Sequence, residues 1–125
     1  MTSPLNTEAV RRDCAEAIAV AVDALTDGSE PPAAVVERLR EALSGHVREQ
    51  VDAVRERFAD AAPGPLRDIV TKTLTIAEHV LAVPVQGGVA DLLVSPQVAR
   101  FLLLMHEEAE VFGASPEVPV PSTRA

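Results

Sequence analysis

The residues able to do chemistry in this chain are few: three histidines, one cysteine, and scattered serines and carboxylates. His46 and His106 each follow an arginine, Arg40 and Arg100, with five residues between. An arginine and a histidine brought together can neutralise a phosphate and move a proton at it. Metal chemistry in helical bundles uses Glu-x-x-His pairs on facing helices. The residues three before His46, His79 and His106 are Leu43, Ile76 and Leu103, so that motif is missing. Cys14 falls inside an apolar stripe, which suits an inert buried thiol. Ser44, Ser95 and Ser115 sit in no nucleophile-and-base setting, and Ser95 before Pro96 serves better as a helix cap. Asp91, ahead of Leu92-Leu93-Val94, reads as a solvated carboxylate. No catalytic residue, cofactor site or metal ligand is assigned.

Such residues would have to be placed by helices, and one stretch organises the rest. Residues 32–62 read as a single helix of roughly 45 Å. Pro31-Pro32 opens it, with Ser29 or Glu30 near the cap, and Pro63-Gly64-Pro65 ends it. At about 100° per residue, Val36, Leu43, Val47, Val51, Val54, Phe58 and Ala61 share one arc, with Leu39 and Val35 at its edge. The opposite arc is charged, and Arg38–Glu41, Arg48–Asp52 and Asp52–Arg55 are spaced to pair along it. Gly45 lies on the polar side as a soft spot costing about 1 kcal/mol.

A first helix spans 7–25, capped by Asn6 or Thr7, with Val10, Cys14, Ala17, Ile18, Ala21 and Leu25 as its stripe; Asp27-Gly28 ends it. A third starts at Pro65 and stops before Pro84, with Leu66, Ile69, Val70, Thr73, Ala77, Val80 and Leu81 facing the core. A short helix over 89–94 precedes a last main helix over 96–112, started by Ser95-Pro96 and ended by Gly113. Residues 115–125, rich in proline, read as a disordered or extended tail. The expected fold is all-α: a single four-helix, bundle-like domain over 1–114 with one long central helix and a short extra helix before the last.

In that last helix Phe101-Leu102-Leu103-Leu104-Met105 is apolar throughout. A stripe through Phe101, Leu102 and Met105 leaves Leu103 and Leu104 over. Either the 89–94 segment, with Leu92 and Leu93, folds back over Leu103, or a second subunit covers it. Leu103, Leu104, Leu92 and Leu93 are therefore the candidate interface.

Composition narrows the partners. The chain has 125 residues and a net charge of −8, which disfavours nucleic acid and anionic membranes. Tyr and Trp are absent, so no base-stacking platform is evident. No apolar run is long enough to span a membrane, and the first residues lack the pattern of a signal peptide. With a single cysteine, this points to the cytoplasm.

Two resemblances follow from these residues. The Arg40–His46 and Arg100–His106 spacings resemble the arginine–histidine pair of the all-helical ribonuclease superfamily of toxin systems. That resemblance implies phosphate stabilisation and proton transfer on RNA. Stretches 36–47, with Leu39-Arg40 and His46-Val47, and 98–107, with Arg100-Phe101-Leu102-Leu103 and His106-Glu107, together resemble a small uncharacterised helical family of GC-rich bacteria. That family is loosely associated with natural-product biosynthesis. The likeness covers roughly 35–108, with Ser44-Gly45 and Pro96 as departures, and implies an accessory role without established catalytic residues.

The expected function is a non-enzymatic binding or accessory module acting through protein contact or as a homodimer. The alternatives are the ribonuclease-like enzyme and a carrier of a small hydrophobic ligand between helices.

Overall fold

The computed structural model describes residues 6–82 and 89–114. The expectation of a disordered or extended tail over 115–125, the loop with Pro84 and the side chain of Asp91 lie outside the described residues. Four helices make an all-α, bundle-like fold: α1 (Thr7–Asp27), α2 (Ala33–Arg57), α3 (Pro65–Ala82) and α4 (Val89–Glu107). Packing is uneven among them. α1, α2 and α4 form a three-helix core, and α3 lies on its outside against α2 and, over a shorter stretch, α4.

Local chemistry sets the helix ends. Asn6 Oδ1 accepts the Ala9 N–H at 3.0 Å, and Gly28 closes α1 in the left-handed conformation at φ 69°, which costs glycine nothing. α2 starts from Pro32 with no side-chain cap, so neither Ser29 nor Glu30 caps it. It ends at Arg57, five residues short of expectation. The chain turns at Phe58, yet Phe58 and Ala61 remain buried, because the turn folds the same apolar arc back onto the core.

The expected short extra helix does not exist as a separate element. α4 runs unbroken from Val89 through Ser95-Pro96. A proline there removes the amide that would bond the Leu92 carbonyl, at a cost of about 3 kcal/mol. Pro96 is fully buried, and burial on both sides of α4 offsets that cost.

The buried arc of α4 also differs from the expected one. At about 100° per residue, Leu92, Pro96, Ala99 and Leu103 line one flank, and Leu102, Met105 and Ala109 the other. Together they cover roughly half the helix circumference, as suits a helix wedged between two others. Phe101 was expected in that stripe and lies outside it, 38% exposed.

α3 buries only Val70, Thr73 and Ala77 of its expected stripe, while Leu66 and Ile69 are exposed. One helix face touching mainly one neighbour cannot cover a wider stripe. The within-helix ion pairs expected on α2 do not form. Arg38 instead reaches Glu16 of α1 at 2.6 Å, and Arg55 pairs with Glu78 of α3. No helix among the described residues is long and apolar enough to cross a membrane.

Candidate functional site

Polar side chains tie the three core helices together at their contacts. Asp13 of α1 and His46 of α2 meet at 2.8 Å, Oδ2 to Nε2, with side chains 11% and 13% exposed. An ionised carboxylate only accepts, so Nε2 carries the hydrogen. Arg12 Nε donates to the other oxygen of Asp13 at 3.3 Å. Burial pushes the Asp13 carboxyl up, but the hydrogen bonds from His46 and Arg12 and their charges outweigh it, and its pKa lies below the ordinary carboxylate value.

Cys14, the next residue, points to α4 and donates from Sγ to the Pro96 carbonyl at 3.7 Å. Burial raises its pKa, so the thiol stays protonated. Gln50 of α2, fully buried, donates from Nε2 to the Ala99 carbonyl of α4 at 2.9 Å. Its Oε1 has no donor among the described residues. Each pair of core helices thus shares a polar tie at its buried contact, beside the exposed ion pairs Arg38–Glu16 and Arg11–Glu107. Cys14 turns away from the imidazole–carboxylate pair and stays protonated. The seam registers the helices against one another.

Neither arginine–histidine pair converges. Six positions along a helix place two side chains about 120° apart. Arg40 bonds Glu37 on its own helix at 3.2 Å while His46 turns to α1. Arg100 lies on the exposed arc of α4, and His106 is half-buried toward the core side. Its partner Asp13 draws His46 into the α1–α2 contact. His79 is exposed on α3. Among the described residues no three His, Cys, Asp or Glu side chains are placed to hold a metal ion.

The second feature is apolar and lies on the surface. Ile76 of α3, 56% exposed, and Leu104 of α4, 44% exposed, flank a cleft of about 510 Å³. Thr73, Val98 and Phe101 line it, with Gln97 and Arg100 at its polar edge. Phe101 is steadied by Phe112, edge to face at 6.2 Å between ring centres. Ile69 and Leu66 extend the apolar surface along α3, and Val94 extends it along α4.

Of the four expected interface residues, the structure offers one. Leu103 is 4% exposed and Leu92 is fully buried, both within this chain's own core, and Leu93 packs against that core. The inner flank of α4 claims them, so no second subunit is needed to cover Leu103. Leu104 alone stands on the exposed arc. Sequence reasoning missed Asp13 and Gln50. The signal was present: Asp13 sits three after Val10 and four before Ala17, and Gln50 three after Val47 and four before Val54. A polar residue in an apolar stripe is a buried one in search of a partner.

No protein-family model, curated protein or solved structure matches the chain.

Proposed function

We propose that the domain is a non-enzymatic helical binding module whose working surface is the apolar α3/α4 face. One observation carries this. α4 exposes Val94, Phe101 and Leu104 beyond its buried arc, and α3 beside it leaves Leu66, Ile69 and Ile76 uncovered. A contiguous apolar patch of this kind marks a site of protein contact. The polar seam supports the same view from the other side, because its side chains are spent on holding helices together. A net charge of −8 favours a protein partner over nucleic acid. The buried, unpaired Cys14 suits a reducing compartment, and we place the module in the cytoplasm. The likeness of 36–47 and 98–107 to the helical family described above makes an accessory role in natural-product biosynthesis our choice of setting. Neighbouring genes for such a pathway would support it.

The test is photo-crosslinking in the native cell from a benzophenone side chain placed at position 104, with position 41 on the polar face of α2 as control. Crosslinks to protein from 104 and none from 41 are expected. No crosslink from 104 would overturn the module.

A further inference from the structure

We infer that the occupant of the α3/α4 face is a second copy of this chain, docked antiparallel about a two-fold axis. This rests on the module reading and adds the identity of the partner.

The repeat on each helix points to a helical partner. The outer arc of α4 carries Ala90, Val94, Gln97, Phe101 and Leu104, at intervals of four, three, four and three. On α3, Leu66, Ile69, Thr73, Ile76 and Val80 follow at three, four, three and four. Alternating threes and fours make the seam along which helices interlock side chains. Two adjacent helices with parallel seams, Thr73 on the floor of the cleft between them, are one half of a four-helix bundle. The chain that supplies one such half supplies the other.

Charge selects the orientation. Arg100 stands beside the N-terminal side of Phe101 and Leu104, and Glu108 just beyond their C-terminal side, where its N–H still bonds the Leu104 carbonyl at 2.8 Å. Arg100 forms no ion pair among the described residues. Antiparallel docking that sets Phe101 against Leu104 of the second copy brings Arg100 beside Glu108 of that copy, and the symmetry repeats the contact. Parallel docking would oppose Arg100 to Arg100. On α3, Arg67 and Lys72 balance Asp68 and Glu78.

Light scattering on the full chain at tens of micromolar tests this. A mass of twice 13.2 kDa is expected. Leu104→Glu and Ile76→Glu should each weaken the dimer by about tenfold or more, with the helical circular dichroism unchanged. If either charge unfolds the domain, Leu104→Gln and Ile76→Thr replace them, with the same expectation. Arg100→Glu should weaken the dimer, and Arg100→Glu with Glu108→Arg should restore it. A monomer at this concentration overturns self-docking, as does a dimer untouched by both face substitutions. A monomer that dimerises only when cut after Ala114 would assign the face to the chain's own tail. Failure of the charge swap to rescue overturns the antiparallel register. A monomer that still crosslinks to another protein from position 104 would leave the module standing with a different partner.

Discussion

Asp13 and His46 approach to 2.8 Å from helices that are separate in sequence by 33 positions, and both side chains are nearly buried. A carboxylate and an imidazole taken out of water need each other. Either left alone forfeits a charge-assisted hydrogen bond and is stranded in an apolar setting. The pair therefore fixes the register of α1 on α2.

Asp13→Ala should cost about 1–3 kcal/mol in denaturant titration at neutral pH, chiefly by stranding His46. The pH dependence has a defined sign. The folded carboxyl has a pKa below its ordinary 3.8, so its stabilisation is full above that value. It is lost as pH falls further, through the folded pKa. The stability gap between the natural chain and Asp13→Asn should hold from neutral pH to near pH 4 and close below it, as followed by urea unfolding at stepped pH. A gap that closed near pH 6 instead would assign the dependence to another group.

Phe58 ends the long helix at 4% exposure. Phe58→Ala should destabilise the domain by about 3–5 kcal/mol, through lost burial and the cavity left behind. A loss under about 1 kcal/mol would show that the turn after α2 is not packed into the core.

Gly45 sits inside α2, and a Cβ built there meets nothing within 4 Å. Gly45→Ala should raise stability by about 0.5–1 kcal/mol, because alanine loses less backbone entropy in a helix. Thermal unfolding checks this, and a lower midpoint would count against it.

Gln50 is buried with one amide hydrogen bond made and Oε1 unmatched. Gln50→Met removes the unmatched acceptor together with the donor and keeps the volume. It should change stability by less than about 1 kcal/mol, whereas Gln50→Ala adds a cavity and should cost more. Equal losses for the two would show that the bond to Ala99 outweighs the orphaned oxygen.

The helices were legible wherever one apolar stripe met one neighbour. On α2 and the turn after it every residue from Val36 to Ala61 assigned to the arc is buried, and the start of α1 at Asn6 and its stop at Gly28 follow from capping chemistry. Tertiary context overrode local signals elsewhere. Ser95-Pro96 looks like a helix start, but Pro96 is fully buried, its carbonyl accepts from Cys14 of α1, and α4 continues through it. Leu103 looked displaced only because Phe101 was counted as core; with α4 wedged between two helices, the buried arc is wider and turned. Asp13–His46 could not be read from spacing, because a contact between helices depends on their rotation and not on either repeat alone.

The central claim is that the exposed arc of α4 is surface held for a partner and is not core of this chain. Circular dichroism of Leu104→Glu against Leu102→Glu tests it most directly. Leu104→Glu should keep its helical signal and cooperative unfolding. Leu102→Glu, which buries a charge in the core, should lose both. Loss of the fold in Leu104→Glu as complete as in Leu102→Glu would contradict the claim.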